Sequence, residues 1–460
     1  MQQTIIFDPD LIRRFDIPGP RYTSYPTADR FLQEFEQHAK ADSLKTVVAG
    51  VKSPLSLYFH IPFCNTICYY CACNKIITKD RSLSERYISY LEKEMALQAA
   101  LLPQRGVVTQ MHWGGGTPTF LSQAEIRRLM ASIRSHFELA EEGEFSIEVD
   151  PRKVTSEVVA QLASEGFNRM SVGVQDFDPR VQAAVNRIQS VDETHAVIAA
   201  ARAEGFQSIS VDLIYGLPHQ NVERFATTLN TVLGMRPDRI ALYNYAHLPT
   251  RFMPQRRINE ADLPPPDEKL RILALAIERL DKAGYVYIGM DHFARPDDEL
   301  AVAQRSGRLQ RNFQGYSTHA ECDLLAFGVS SIGKAGGAFS QNHRDLEPYY
   351  AALDRNELPV LRGWALSEDD NLRNAVIQTL MCDFELTYEI FNRRYGIDFV
   401  GRFEPELQEL AELAAAGLLD MDKQGIRVTD AGRMLVRIVA MVFDRYLRSD
   451  REKRRYSRVI

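Results

Sequence analysis

Two hydrophobic periods alternate along this chain. From about residue 47, short apolar, β-branched and aromatic runs give way repeatedly to longer stretches with apolar residues at helical spacing. The runs predict strands over 55–63, 107–113, 144–149, 170–174, 208–215 and 239–245. The spaced stretches predict helices over 83–102, 122–137, 155–165, up to Gly205, over 221–233 and over 267–283. Ser122 with Glu125 has capping-box spacing, and Gly166 stands where the third helix would end. Six strand–helix units in succession predict parallel strands joined by helical crossovers, an α/β fold. A complete barrel has eight units, so six predict an open, partial (βα)6 TIM-like barrel. Residues 289–296, 311–316 and 325–333 read as glycine- and aromatic-punctuated loops that cover the open side. From about residue 350 helices dominate, over 371–382, 403–416 and 430–447. Short strand signals flank a Lys-Gln-Gly turn, an order like a winged helix. Pro18, Pro20 and Pro26 exclude a continuous helix near the N-terminus. The expected division is an N-terminal arm (1–38), a barrel domain (39–350) and a mainly helical C-terminal domain (351–460).

Polar residues collect where the predicted strands end. Tyr58 and His60 close the first, Gly114, Gly115 and Gly116 the second, and Glu148 and Asp150 the third. Gln175 and Asp176 close the fourth, Asp212 the fifth, and Asn244, Tyr245 and His247 the sixth. Chemistry in barrels sits at these carboxyl ends, so a polar group at each predicts one shared site. Four of the six cysteines crowd into the loop after the first strand. Cys64, Cys68 and Cys71 have C-x3-C-x2-C spacing, and Cys73 adds a C-x-C ending. Such a loop can give three thiolates to a [4Fe–4S] cluster, which ordinarily takes four cysteines. The iron left open can chelate the amino and carboxylate groups of S-adenosylmethionine, a cofactor of radical chemistry. Structural zinc prefers separated cysteine pairs, disulfide frameworks belong to small secreted chains, and inert core thiols do not cluster. Cys73 packs, assists chemistry or ligates; Cys322 and Cys382 are isolated and read as core.

Three successive glycines let backbone N–H groups approach a ligand closely. Asp212 or Glu148 suits ribose hydroxyls or an ammonium group, and Arg187 suits a carboxylate, although single charges of this kind are usually structural pairs. Arg21, Tyr22 and Tyr25 fit an arm over an anionic ligand and fit a plain surface wrap equally well. His292, Arg295 and Arg311 are candidate substrate contacts, with His292 read first as a hydrogen-bonded core residue. The 460 residues are 45% hydrophobic and 25% charged, with net charge −6. These are ordinary globular values, and the acidic balance argues against a nucleic-acid partner. No apolar run reaches the roughly 18 residues of a membrane span. The start has no signal-peptide pattern, so a reduced cytoplasmic location is expected.

At this point the chain resembles the oxygen-independent coproporphyrinogen III oxidase (dehydrogenase) family of the radical S-adenosylmethionine superfamily, over nearly its whole length. The carriers are GPRYTSYPT at 19–27, YFHIPFC at 58–64, the four-cysteine pattern at 64–73, HWGGGTPT at 112–119 and IEVDPR at 147–152. GVQDF at 173–177, VDLIYGLP at 211–218, NYAHLPT at 244–250, GMDHFARPDDELA at 289–301 and the terminal SRVI complete them. The resemblance implies that Cys64, Cys68 and Cys71 bind the cluster. It implies that Tyr58, Gly115, Glu148 and Ile332 hold the cluster-bound S-adenosylmethionine. Tyr70, Gly116, Thr117, Gln175, Arg187, Asp212 and Ala246 match a second S-adenosylmethionine site. Cys73 and Arg21 are the candidate catalytic residues. Ala72 departs from the family pattern, which has glycine between the last two cysteines.

The implied reaction converts two propionate side chains of coproporphyrinogen III to vinyl groups, giving protoporphyrinogen IX for haem synthesis. A 5′-deoxyadenosyl radical abstracts a β-hydrogen, and carbon dioxide and one electron leave. An unidentified electron donor, such as a flavodoxin-like protein, and a monomeric state are also implied. Alternatives are a haem chaperone paralogue, which typically lacks the C-x-C ending and the RYTSYPT arm, and a radical methyltransferase acting on a tetrapyrrole.

Overall fold

The computed structural model of this chain describes residues 5–33, 54–319, 322–449, 456 and 458–460. The expected arm–barrel boundary at 38/39 and Ser457 of the terminal SRVI lie outside them. The backbone forms two compact units: Phe31–Leu275 with Glu321–Ala365, and Met1–Arg30 with Ala276–Ala320 and Leu366–Ile460.

The first unit contains the six predicted strands: β1 (Leu55–Ile61), β2 (Val107–Gly115), β3 (Glu138–Val149), β4 (Arg169–Gln175), β5 (Ser208–Tyr215) and β6 (Arg239–Asn244). Each pairs in parallel with the next. Helices Ser82–Ala99, Gln123–His136, Ser156–Ser164, Val191–Ala203 and Val222–Gly234 form the crossovers. Ser122 and Glu125 make the reciprocal capping box, as do Ser190 and Glu193. Along β1, Leu57, Phe59 and Ile61 are fully buried. Tyr58 and His60 alternate onto the other face, as the two-residue strand period requires.

The structure corrects the reading of 325–333 as loops. Here β7 (Asp323–Phe327), β8 (Ile332–Ala335), β9 (Ala338–Asn342) and β10 (Val360–Ala365) extend the sheet beyond β1. β7 is parallel to β1, with Leu55 opposite Asp323 and Phe59 opposite Phe327; the last three are antiparallel. Glycines 328, 333, 336 and 337 mimic loop composition. Gly333 is instead a packing residue, since a Cβ there would stand 2.9 Å from the Leu324 carbonyl oxygen. β3 starts six residues earlier than expected, at Glu138 rather than 144.

The second unit holds the hairpin Val286–Gly289/His292–Ala294 and a small sheet of Glu385–Thr387, Gly425–Val428 and Leu419–Met421, in that order. Helices Glu368–Asp383 and Glu404–Ala415 match the sequence pattern. The single helix expected over 430–447 is broken into Arg433–Leu435, Val436–Val442 and Arg445–Ser449. Asp444 causes one break: its carboxylate accepts from Tyr446 and Leu447 N–H and so starts a new turn. The N-terminal segment packs within its own unit. Tyr22 and Tyr25 are fully buried, Tyr22 OH donates to Asp444 at 3.2 Å, and Tyr25 OH accepts from Arg445 N–H at 3.3 Å.

Glu94, on the first crossover helix, is fully buried and binds the segment after β7. It accepts from Gln98 (3.1 Å), Asn342 (2.7 Å), Tyr349 OH (2.6 Å) and Gly328 N–H (2.8 Å). Burial still pushes its carboxyl up to about 7. Glu94→Ala strands four buried donors, with an expected loss of about 3–5 kcal/mol by chemical denaturation, and Glu94→Gln about 1–2 kcal/mol. Equal losses for the two variants would contradict a hydrogen-bonding role.

Candidate active site

β1 delivers the chain into the cysteine loop. Phe63–Cys64 pairs in parallel with Ile76–Ile77, so the loop leaves and returns at one point. Ile76 N–H donates to Pro62 O at 2.7 Å and Thr78 N–H to Cys64 O at 3.0 Å. Lys75 Nζ donates to the carbonyls of Cys71 and Cys73 at 3.1 and 3.3 Å, bracing the loop from within. His60 Nε2 lies 2.9 Å from Asn74 O, which identifies it as the protonated nitrogen. Nδ1 then accepts from Tyr58 OH at 3.0 Å. Burial lowers the pKa of His60 and keeps the ring neutral.

The glycine turn lies against this loop. Pairing of β1 with β2 sets Ile61 opposite Gly115, and Gly116 N–H donates to Ile61 O at 2.8 Å. A Cβ on Gly116 would meet the Pro62 carbonyl at 2.6 Å, and Gly115 has φ +115°. Neither position accommodates a side chain.

Loop and turn open onto one cavity of about 450 Å3. Cys64, Cys68, Cys71, Cys73 and Tyr70 line one side, and Gly115, Gly116 and Thr117 another. Glu148, Gln175 and Asp212 enter from successive strands, and Arg187 from the connection between helices Pro179–Ala184 and Val191–Ala203. All six cysteines are free thiols. Tyr58, Ala246 and Ile332 are outside this lining: Tyr58 stacks on His112 with ring centroids 6.0 Å apart. Arg21 belongs to the other unit, in an ion pair with Asp291. Asp176 is structural, bonded to Thr228 and Gln220, and Arg295 pairs with Asp297 at the surface. Arg311 lies over the Tyr316 ring and donates to the Arg21 carbonyl. His292 meets Tyr316 edge to face at 5.3 Å. The cavity also contains Lys75, Arg152, Ser171 and Tyr243, to which the sequence reading gave no role. Arg152 was visible in IEVDPR, two residues after Asp150.

The cavity's three carboxylates differ in ionisation. Burial raises the pKa of Glu148, but the His112 ring 3.3 Å away, the Gly115 N–H at 3.1 Å and His60 outweigh it and hold the pKa below the usual value. Burial likewise opposes ionisation of Asp150, and Arg152 and Arg187 reverse it. Asp212 accepts from Ser171 OH at 3.2 Å. Burial and the Glu148 charge push its pKa from 3.8 up to about 7. Burial raises the Cys64 thiol to about 11. The Cys73 hydrogen bond lowers Cys71 to about 6 and raises Cys73 well above its ordinary value.

Asp212 makes stability depend on pH. The folded chain keeps its proton between pH 3.8 and about 7 while the unfolded chain releases it, so stability falls as pH rises through that window. Asp212→Asn is therefore expected to stabilise the ligand-free protein by roughly 1–3 kcal/mol at pH 8 and by little at pH 4. Denaturant titrations at the two pH values measure this; an equal effect at both would refute it.

Comparison with known proteins gives this site a relationship. Residues 58–232 match the model of the radical SAM superfamily, and residues 366–435 that of the HemN C-terminal domain. The oxygen-independent coproporphyrinogen III oxidase of Pseudomonas aeruginosa is 52% identical over 466 residues, covering 100% of both chains. The Escherichia coli enzyme of that name is 48% identical over 458 residues, covering 100% of this chain and 99% of its own. A solved structure of coproporphyrinogen III oxidase (HemN) from Escherichia coli, described as a radical SAM enzyme, superposes with TM-score 0.92 at 47% identity, over 97% of this chain and 100% of that one. With identity near one half over full lengths and a shared backbone, the chain belongs to the oxygen-independent coproporphyrinogen III oxidase family of radical SAM proteins.

Proposed function

We propose that this chain performs the oxygen-independent oxidative decarboxylation of two propionate side chains of coproporphyrinogen III to vinyl groups, giving protoporphyrinogen IX. The observation that carries the reading is the single cavity in which free thiols, a side-chain-free glycine turn and three differently ionised carboxylates meet. Superfamily membership brings a [4Fe–4S] cluster and S-adenosylmethionine, and soft thiol donors beside a glycine cradle suit them. When bound, these groups supply radical chemistry at a propionate β-carbon.

Cys64, Cys68 and Cys71 are assigned as the cluster ligands, leaving one iron for the cofactor. Tyr58, Gly115, Glu148 and Ile332 are assigned to that first S-adenosylmethionine; the ionised Glu148 carboxylate suits its ammonium group. Tyr70, Gly116, Thr117, Gln175, Arg187, Asp212 and Ala246 are assigned to a second molecule, with Arg187 toward its carboxylate. Cys73 is assigned a catalytic role rather than ligation, since its bond to the Cys71 sulfur favours the protonated thiol. Arg21, paired with Asp291, is assigned to a substrate propionate, for which it exchanges that partner. Functionally the chain is read as an arm (1–38), a catalytic domain (39–350) and a C-terminal domain (351–460). The reading includes a cytoplasmic monomer with a flavodoxin-like electron donor and no nucleic-acid partner. Net charge −6 supports the last point, and no helix among the described residues is long and apolar enough to cross a membrane.

Anaerobically reconstituted and reduced protein, given S-adenosylmethionine and coproporphyrinogen III, is expected to yield 5′-deoxyadenosine and protoporphyrinogen IX together. Cofactor cleavage without the porphyrin product would reject the substrate, and tight haem binding without cleavage would point to a chaperone. Serine at 64, 68 or 71 is expected to abolish cluster iron and activity. Cys73→Ser is expected to retain iron and lose turnover by at least tenfold; loss of its iron would make Cys73 a ligand.

A further inference from the structure

Three donors converge on one sulfur of the cysteine loop. Arg187 Nη1 stands 3.6 Å from Cys68 Sγ, Arg152 Nη2 stands 4.0 Å from it, and the Tyr70 hydroxyl bonds it as well. Both guanidiniums share one counter-charge. Asp150 Oδ2 lies 2.6 Å from Arg152 Nη2 and 3.3 Å from Arg187 Nη1. Arg187 is further fixed through Nη2 to Gly173 O at 2.7 Å. Asp150 Oδ1 also accepts from Arg152 N–H at 3.2 Å, capping the turn Pro151–Lys153. The Arg187, Arg152 and Asp150 side chains are only 8, 18 and 18% exposed. Two permanent cations and one carboxylate leave a net positive charge beside Cys68, shielded from water.

We propose that the Arg152–Asp150–Arg187 triad sets the reduction potential of the iron–sulfur cluster through the Cys68 sulfur, with Arg152 and Asp150 as opposed positioning residues. The inference rests on the assignment of Cys68 as a cluster ligand. Reduction adds one electron, from an external reductant, and that negative charge spreads over iron and sulfur. Donors aimed at a ligating sulfur and nearby positive charge stabilise the reduced form and raise the potential. A carboxylate at the same place favours the oxidised form and lowers it. Asp150 thus offsets one of the two guanidiniums. The potential stays low enough to break a strong sulfonium bond, while the site remains reducible by a protein donor.

The test is a mediated redox titration of the full-length, anaerobically reconstituted protein, with the reduced-cluster EPR signal as readout and iron and sulfide content measured alongside. Arg152→Gln is expected to shift the midpoint to a more negative potential, and Asp150→Asn to a more positive one. Arg152→Lys, which keeps the charge, is expected to fall between wild type and Arg152→Gln. Opposite shifts support the triad, because a merely loosened loop would move both variants the same way. Unchanged midpoints, or shifts of the same sign, at full cluster content overturn the proposal. If Arg152→Gln does not load a cluster, Asp150→Asn decides alone, and a midpoint at or below wild type there overturns it. Cys68→Ala separates the two levels: full iron retention in that variant removes the ligand assignment itself, whatever the potentials show.

Discussion

The parallel pairing of β1 with β2 is the interaction on which the rest of the site depends. It sets Ile61 opposite Gly115 and lets Gly116 N–H close onto Ile61 O. The cysteine loop and the glycine turn thereby leave the sheet side by side at one edge. A shift of one residue would reverse the faces of Tyr58 and His60 and remove the hydrogen bonds that connect them to the loop. The close approach also explains the glycine run physically. Any Cβ at Gly116 collides with the Pro62 backbone, which no side-chain rearrangement relieves.

Around that pairing the site is organised by the cost of burying charge. A carboxylate inside a cavity is costly unless it has a partner, and each of the three here meets that cost differently. Glu148 has a histidine and a backbone N–H, Asp150 has two guanidiniums, and Asp212 retains its proton close to neutral pH. One cavity therefore presents an anion, an ion cluster of net positive charge and a titrating acid within the reach of a single ligand-sized volume. The loop itself is braced without regular structure, by Lys75 and His60 donating to its carbonyls.

Much of this was legible before any coordinates. The six strands were visible because each is a compact apolar run bounded by helical spacing, and the prediction for β5 over 208–215 matches its observed limits. Cys64, Cys68, Cys71 and the polar strand ends were legible because chemistry at a parallel sheet must lie where the strands stop. β7 to β10 were not legible. They are short, the turns between them carry Gly328, Gly336 and Gly337, and β7 gains its place by pairing with β1, more than 250 residues earlier in the chain. Arg152 and Lys75 were passed over for a related reason: a lone cation in sequence is usually solvated, and only the fold brings Arg152 to Cys68. The arm illustrates the converse. Its prolines and tyrosines fitted a ligand cover and a surface wrap equally well, and burial of Tyr22 and Tyr25 in its unit became visible only in the fold.

By itself the sequence determined the class of fold, the cysteine spacing and the residue types available at each strand end. These are local properties, set by periodicity, by steric freedom at glycine and by the ligand chemistry of thiols. Only the tertiary structure decided which charges meet. The pairing of Asp150 with Arg187, the burial of Asp212 beside Glu148 and the donors on Cys68 depend on distances between segments remote in sequence. Hydrophobic pattern specifies which face is buried, but the strength of an electrostatic interaction depends on separation and on excluded water, and both appear only once the strands are assembled.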